Sequence, residues 1–246
     1  MKRVLVINPN TSASVTDAVL TACRSAHPAL EWHGVSARFG APYIADEIAY
    51  AVAAHAVLDA HAVHFDGHDA VLIACFGDPG LLALRELAGV PVLGLAQASL
   101  AAAASAAAAT PGGRFAVVTG GHAWGPMLAR FARAQQLDAG LCGIHTVDLT
   151  GGQIAAAPSA ALDSLAAAAQ QGIDGGAGCI LLGGAALAGL AARLQPRVGV
   201  PVLDNVLLAA RAVADAPTSR ARHAAAPAWF ASFLPVPPRS VTEDAT

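Results

Sequence analysis

The residues best suited to chemistry lie in one stretch around a cysteine, Asp69-Ala-Val-Leu-Ile-Ala-Cys75-Phe-Gly-Asp-Pro-Gly80. The apolar run 70–74 predicts a buried strand, and Asp78-Pro79 predicts a helix start, because Asp is a favoured N-cap and Pro a favoured first helical residue. Cys75 would then lie near backbone N–H groups at the positive end of a helix dipole. Such a position lowers the pKa of a thiol and favours the thiolate.

The alternative for Cys75 is a buried cysteine that acts only as a small hydrophobic residue. We favour an acid–base thiol because of its position along the chain. In open parallel sheets, ligands bind beyond the carboxyl ends of the strands, and Cys75 directly follows a predicted strand.

Strands and helices alternate along most of the chain, which predicts an α/β fold with parallel sheets. Strands are predicted at 2–7, 31–35, 70–74, 89–95, 114–119, 145–149, 179–182 and 201–203. Helices are predicted after residue 12, at 46–63, 81–87, from 97, and at 126–134, 160–171, 187–194 and 206–214.

An internal repeat indicates two similar lobes. Gly89-Val-Pro-Val-Leu recurs as Gly199-Val-Pro-Val-Leu, and each copy is followed by an Ala-rich helix. In the same register Cys75 falls opposite Gly184. The carboxyl ends of the strands of both lobes would then face one cleft, which suits chemistry on both faces of a small planar molecule.

The repeat predicts a domain organisation as well as a fold. We predict a first α/β lobe from residues 1–97 plus 205–220 and a second from residues 98–204, related by pseudo-two-fold symmetry, with the active site in the cleft between them. The segment 221–246 contains several prolines and breaks the strand–helix pattern. It is predicted to be an extended or partly disordered tail.

Composition excludes several functional classes. The net charge is −3 and Lys and Arg form no cluster, which argues against a nucleic-acid partner. No apolar run has the length of a signal peptide or a membrane span, so no membrane partner is expected. The four cysteines show no CxxC spacing, and a reducing cytoplasm is the simplest location for them.

Two further patterns predict neither a metal nor a cofactor. Of the histidines at 55, 61, 64 and 68, His61 and His64 share a helix face, but no third ligand completes a known spacing, and a solvated helix face explains them. The glycine-rich segment 172–178 precedes its strand, whereas a dinucleotide fingerprint must follow a strand and open a helix.

Four motifs together resemble those of the hydantoin/allantoin racemases, a branch of the aspartate/glutamate racemase superfamily. They are Asn8-Pro-Asn-Thr-Ser, Ala-Cys-Phe-Gly-Asp-Pro-Gly-Leu at 74–81, Val-Thr-Gly-Gly at 118–121 and Leu-Gly-Gly-Ala at 182–185. The resemblance runs in order over residues 1–214. It implies a cofactor-free isomerase with two lobes, one cysteine from each flanking the substrate, and it suggests a homo-oligomer.

In that family one thiolate removes the α-proton and the other thiol reprotonates the opposite face. The resemblance implies that Cys75 is an acid/base. The backbone N–H groups of Phe76 and Gly77 and those after Gly183 are expected to hold the enolate. The expected substrate-binding residues are Asn8, Asn10, Thr11, Phe76, Gly77, Thr119, Gly120, Gly184 and Ala185.

This chain departs from the family pattern at one position, where Gly184 stands in place of the second cysteine. Another residue or a water then serves as the second base, or the reaction needs only one proton donor, or catalysis is lost. His122 is the candidate second base, because it follows the strand ending at Thr119 and a histidine side chain is suited to proton transfer. The alternative is a surface-loop histidine that caps nearby backbone.

The sequence therefore predicts a cofactor-independent racemase that acts on a small carbon acid, such as a hydantoin, allantoin or an amino-acid-like molecule. A single-cysteine decarboxylase or cis–trans isomerase is the alternative within the superfamily. A small-molecule binder without catalysis is the alternative outside enzymes. Tyr43 and Trp124 are expected either to wall the substrate pocket or to pack between the lobes.

Overall fold

The structure is a computed structural model that describes residues 1–110 and 112–218. It contains two four-stranded sheets in which every pair of neighbouring strands is parallel. The first sheet has the order β2-β1-β3-β4, from β1 (Arg3–Asn8), β2 (Glu31–Ser36), β3 (Ala70–Ile73) and β4 (Val92–Gly94). The second has the order β6-β5-β7-β8, from β5 (Phe115–Gly120), β6 (Leu141–Val147), β7 (Cys179–Leu182) and β8 (Val202–Asp204).

Helices cover both faces of both sheets. They are α1 (Ala13–Ala26), α2 (Glu47–His64), α3 (Leu81–Leu87), α4 (Leu95–Ala108), α5 (Trp124–Ala134), α6 (Gly151–Ala156), α7 (Pro158–Asp174), α8 (Leu190–Leu194) and α9 (Asn205–Asp215). Short 3₁₀ turns lie at Ala185–Leu187 and Gln195–Arg197.

The strands read as continuous apolar runs because each is buried on both faces. In β1, Val4 and Val6 face the layer formed by α1 and α9, whereas Leu5 and Ile7 face the layer formed by α2 and α3. All four side chains are fully buried. The second sheet repeats this arrangement between α6, α7 and α8 on one face and α4 and α5 on the other.

The last helix of each half packs against the sheet of the other half. Helix α4 follows β4, yet Leu100 and Ala103 pack with Phe115 of β5. Helix α9 follows β8, yet Val206 packs with Val4 of β1 and with α1. The two sheets are therefore held together by two helices that cross between them in opposite directions.

The predicted fold class is confirmed: both sheets are parallel and are covered by helices. Sequence reasoning missed the first four residues of β6, predicted from 145, and it missed α6 entirely. Helix α6 begins with a capping box between Thr150 and Gln153, which is a recognisable local signal. The domain boundaries stay predictions, and the predicted tail at 221–246, like residues 219–220, lies outside the described residues.

Within the ranges that the structure describes, no helix combines the length and the hydropathy that crossing a bilayer requires. The cytoplasmic location and the homo-oligomeric state stay predictions.

Candidate active site

The carboxyl ends of both sheets open onto one cavity of about 70 Å³. On the same scale one water needs about 10–15 Å³, so the cavity is of the size for a few waters or a small planar molecule. Its lining comes from both halves: Asn10, Val15, Tyr43, Ile44, Ala45, Ala74, Cys75 and Phe76 from the first, and Thr119, Gly120, Gly121, Trp124, Thr150, Gly151, Gly184, Ala185, Ala186 and Leu187 from the second.

The cavity lies at the reversal point of both sheets. In the first sheet β1 has β2 on one side and β3 on the other, and in the second sheet β5 lies between β6 and β7 in the same way. Ligands of open α/β sheets bind where the strand order reverses in this manner. Cys75 follows β3 by two residues, and Gly184 follows β7 by two residues.

Cys75 lines the cavity, but its surroundings differ from those expected. Helix α3 begins only at Leu81, after Gly80 in the left-handed region (φ 76°), so Cys75 does not lie at its N-terminus. The side chain is 7% exposed, and burial, reinforced by the nearby Asp78 carboxylate, raises the pKa of the thiol. This corrects the expected lowering of the pKa: at neutral pH the resting Cys75 is a thiol.

The sequence suggested that Asp78 is the N-cap of α3, but in the structure it is not. Its carboxylate accepts hydrogen bonds from the backbone N–H groups of Ala96 (2.8 Å) and Gln97 (2.7 Å), so it caps α4. The residue is 2% exposed, and burial raises its pKa to about 7. The turn is closed by the N–H groups of Gly77 and Asp78, which both donate to the carbonyl of Cys75.

Gly183 and Gly184 follow β7 in the second half, and Gly184 lines the cavity. A Cβ on Gly183 would lie 2.2 Å from the ring of Phe76, which reaches across from the other half. Gly184 has φ 136°, and a Cβ there would lie 2.9 Å from Leu187 Cδ1. Where the family resemblance implies a second thiol, the structure therefore has a backbone conformation that favours glycine and a leucine side chain in contact distance.

The polar residues after β1 form a hydrogen-bonded support for Asn10. Asn8 is fully buried and donates from Nδ2 to Asn10 Oδ1 (2.9 Å) and Thr16 Oγ1 (3.0 Å). Asn8 is therefore not part of the lining, whereas Asn10 is. Thr11 is exposed, lies outside the lining, and donates its backbone N–H to Ala41.

Gly77 also lies outside the lining. Its backbone N–H is not available to a substrate, because it donates within the turn to the carbonyl of Cys75 (3.0 Å). A Cβ on Gly77 would lie 2.6 Å from the ring of Trp124. Gly77 is thus a close-packing position beneath an aromatic wall, which corrects the expectation that its N–H holds an enolate.

A loop of the first half, residues 37–46, covers the cavity by contacts with the second half. Trp124 Nε1 donates to the carbonyl of Ile44 (3.0 Å). The ring of Tyr43 lies against α6, so that a Cβ on Gly152 would be 2.4 Å from Tyr43 Cε2. Tyr43 and Trp124 thus both wall the cavity and pack between the halves, which joins the two alternatives that the sequence left open.

His122 does not reach the cavity lining. Its side chain is 69% exposed and its Nε2 lies 3.3 Å from Asp148 Oδ1. Its Nδ1 lies 3.0 Å from Thr146 Oγ1. The ring is therefore held on the surface beside the end of β6, in the manner of the surface-loop alternative.

Of the predicted site residues, the structure brings seven together around the cavity: Asn10, Cys75, Phe76, Thr119, Gly120, Gly184 and Ala185. Asn8, Thr11, Gly77 and His122 lie beside it. Sequence reasoning missed Thr150 and Gly151 because it missed α6, whose capping box was the available signal. Among the described residues, no group of three His, Cys, Asp or Glu side chains is arranged to hold a metal ion.

Comparisons with known proteins agree with this geometry. Residues 4–213 match the family model described as Asp/Glu/Hydantoin racemase. A hydantoin racemase from Paenarthrobacter aurescens is 32% identical over 213 residues, which cover 85% of this chain and 88% of that protein.

Two solved structures are also similar. An allantoin racemase from Klebsiella pneumoniae superposes with a TM-score of 0.80 at 30% identity, covering 96% of this chain and 100% of that one. An allantoin racemase from Pseudomonas fluorescens gives a TM-score of 0.78 at 28% identity, covering 86% and 89%. With a family match over nearly all of the described residues, this chain belongs to the Asp/Glu/hydantoin racemase family and is an isomerase, a racemase of the Asp/Glu racemase superfamily.

Proposed function

We propose that this chain transfers a proton at the α-carbon of a small carbon acid, with Cys75 as the acid–base group and without a cofactor. The substrate class is a 5-substituted hydantoin, allantoin or an amino-acid-like carboxylate. One observation carries the proposal: Cys75 lies on the wall of a small cavity that the carboxyl ends of both sheets share. The relatives that act on hydantoin and allantoin by name support the substrate class.

The cavity offers donors for the negative charge that forms when the α-proton leaves. Ala185 and Ala186 begin a 3₁₀ turn and line the cavity, and the first N–H groups of a helical turn have no acceptor within it. The Asn10 amide and the Thr119 hydroxyl lie in the same lining. Donors fixed before the reaction stabilise an enolate more than mobile water does.

The second half supplies no acid or base at the position that corresponds to Cys75, which makes proton transfer one-sided. Gly184 supplies no acid or base, so Cys75 exchanges a proton with one face of the planar enolate. A water in the cavity then serves the other face in racemisation. Because water is a weak general acid and base near neutral pH, we expect exchange of the α-proton to outpace inversion.

A second candidate is favoured by the raised pKa of Cys75, which keeps the resting group as a thiol. In decarboxylation, the bond from the α-carbon to a carboxylate breaks, CO₂ leaves, and the electron pair remains as a planar enediolate. The Cys75 thiol then gives its proton to one face, and the thiolate regains a proton from water. This reaction needs one proton donor and no second base.

The two candidates separate in one experiment. The protein is incubated in D₂O with a panel of hydantoins, allantoin, amino acids and malonates that carry two different substituents on C2, and α-deuterium, optical rotation and released CO₂ are followed. Racemase chemistry gives deuterium incorporation with loss of optical rotation, and one-sided exchange gives deuterium with rotation retained. Decarboxylation gives CO₂ and a singly deuterated, optically active product. Absence of all three signals across the panel would contradict both candidates and leave a small-molecule binder.

A further inference from the structure

Asp78 stands in the Cys75 turn, yet the helix it caps lies elsewhere in the fold. Its carboxylate binds the N–H groups of Ala96 and Gln97, 18 and 19 residues further along the chain. The backbone of Asp78 adopts φ 53°, a left-handed conformation that is uncommon for residues other than glycine. The side chain is therefore held in this turn against a local preference.

In the second half the corresponding carboxylate stands at the end of a strand instead of in the turn, and it also accepts from the N–H of Gly189 (2.8 Å) in the turn after β7. There Asp204, at the end of β8, accepts from the N–H groups of Val206 and Leu207 and so caps α9 from its own strand. By the internal repeat, Asp204 corresponds to Gly94, and Asp78 corresponds to Leu187. Capping alone therefore does not require a carboxylate in the turn that carries the active-site cysteine.

Gly94 shows how closely the carboxylate of Asp78 is fitted. A Cβ on Gly94 would lie 2.0 Å from Asp78 Cγ, so the place that Asp204 fills in the second half is taken here by a side chain from the cysteine turn. In the first half the capping carboxylate therefore stands beside Cys75 and not at the end of the strand.

Asp78 faces few other charges. Arg85 of α3 is the nearby cation, and its guanidinium bonds the carbonyl of Val92 and the amide of Gln97. Tyr50 of α2 packs on the same turn and donates its hydroxyl to the carbonyl of Gly77 (2.7 Å). Burial, Cys75 and Asp78 raise the pKa of Tyr50 to about 12, so it stays neutral. Asp78 and Cys75 are both buried, and the negative charge of Asp78 adds to burial in raising the pKa of the Cys75 thiol.

We propose that Asp78 is a positioning residue that fixes the Cys75 turn to α4 and keeps Cys75 in its protonated, proton-donating form. The inference rests on the proposed role of Cys75 as the acid–base group. Asp78 touches no substrate in this arrangement: it acts through the cysteine. Removing its charge while keeping its shape makes the Cys75 thiolate easier to form.

The test compares Asp78→Asn with Asp204→Asn, which removes the matching carboxylate from the second half. In each full-length variant the thiolate of Cys75 is titrated by ultraviolet absorbance between about pH 6 and about pH 11, as the difference from the same variant carrying Cys75→Ser. Alkylation of Cys75 at about pH 8 is followed in parallel by mass spectrometry of its peptide, because the chain has four cysteines.

We expect the Cys75 midpoint to fall in Asp78→Asn, with alkylation at least about threefold faster, a change that about half a pKa unit produces. Asp204→Asn should leave the midpoint where it is, because the residue lies in the other half and an amide oxygen can still accept from the N–H groups of Val206 and Leu207. An unchanged midpoint in Asp78→Asn, or equal shifts in both variants, would overturn the proposal, since a purely structural role moves only stability.

Two measurements keep the test decisive if Asp78→Asn does not fold. Asp78→Ser is a second neutral variant with a good capping side chain. In the unaltered protein, the midpoint of Cys75 must lie above the value of about 8.5 for a free cysteine, and a midpoint at or below it would refute the inference. Both readouts are independent of turnover, so a protein inactive on every carbon acid would remove the proposed function and still decide the role of Asp78.

Discussion

The two turns that follow β3 and β7 share a backbone plan and differ in chemistry. Each leads through a left-handed glycine, Gly80 (φ 76°) and Gly189 (φ 78°), into a short helix. The first turn carries Cys75 with Asp78 behind it, and the second carries Gly184 with Leu187 behind it. The repeat thus supplies a symmetric frame, and the proposed acid–base group comes from one half alone.

The comparison also shows that the difference is built into the packing. Gly184 has φ 136° and Leu187 fills the space that a side chain on it would need. A side chain at Gly184 would therefore meet a strained φ and would require Leu187 Cδ1 to shift. The following predictions test how far the two halves differ in activity and in stability.

The largest effect is expected from Cys75→Ala. Removing the proposed acid–base group should lower the rate of α-proton exchange by about 10²–10⁴-fold, the range found for general acid–base groups. The rate is measured by deuterium incorporation in D₂O. Cys142→Ser is the matched control, because Cys142 lies on β6 outside the cavity lining and should leave the rate unchanged. Equal losses in both variants would remove Cys75 from the mechanism.

The next effect concerns Gly184→Cys, which restores a thiol in the second half. We expect the free energy of unfolding to fall by about 1–3 kcal/mol, because the side chain meets both the positive φ and Leu187. Urea denaturation measures the change.

Gly189→Ala is the control for backbone strain alone, since φ is 78° there and nothing lies within 4 Å of the added Cβ. Adding Leu187→Ala to Gly184→Cys should then show a favourable coupling of at least about 0.5 kcal/mol. Strict additivity would mean that Leu187 does not define the space at Gly184.

A smaller effect separates the first residues of α4 and α9, Leu95 and Asn205, which correspond in the repeat. Asn205 is fully buried, and its amide has no hydrogen-bond partner among the described residues. Asn205→Leu should therefore raise the free energy of unfolding by about 1 kcal/mol, because an unsatisfied buried amide is removed. The reverse change, Leu95→Asn, should lower it. A loss of stability in Asn205→Leu would show that the amide does have a structural role.

The smallest effect is expected from His122→Ala. The ring is exposed and bonds Thr146 and Asp148 outside the cavity lining. We expect kcat/KM on any substrate found to stay within about twofold, and stability to change by less than about 0.5 kcal/mol. A large loss of kcat with unchanged stability would bring His122 back as a second base and make the second half chemically active.

Local signals predicted much of the frame. The buried strands β3 and β7 are predicted from short apolar runs, because these elements are specified by their own residues. Helix α3 is predicted from the start signal at Asp78-Pro79, although it begins at Leu81. The internal repeat in the sequence places Gly184 at the position that corresponds to Cys75. The predicted start of β6 lies four residues too far along the chain. The reason is that Leu141 and Ile144 are only half-buried at the sheet edge, where the apolar pattern is weak.

Contacts between distant residues could not be predicted in this way. The sequence near Asp78 reads as a cap for the next helix, and only the folded chain brings the N-terminus of α4 to it. Trp124 and Ile44, 80 positions apart, meet through one hydrogen bond. The state of the thiol was misjudged for the same reason, since its burial and its neighbouring carboxylate both depend on tertiary packing.

The crossing of α4 and α9 has a consequence for how the chain folds. Val206, Ala209 and Val213 cover the first sheet, so a fragment that stops before β8 leaves an apolar face of that sheet open to water. We therefore expect each half of the chain, expressed by itself, to leave an apolar sheet face open to water and to fold poorly. We accordingly expect the amide hydrogens of β1 and β7 to lose their protection from hydrogen exchange in the same opening event, as one cooperative unit.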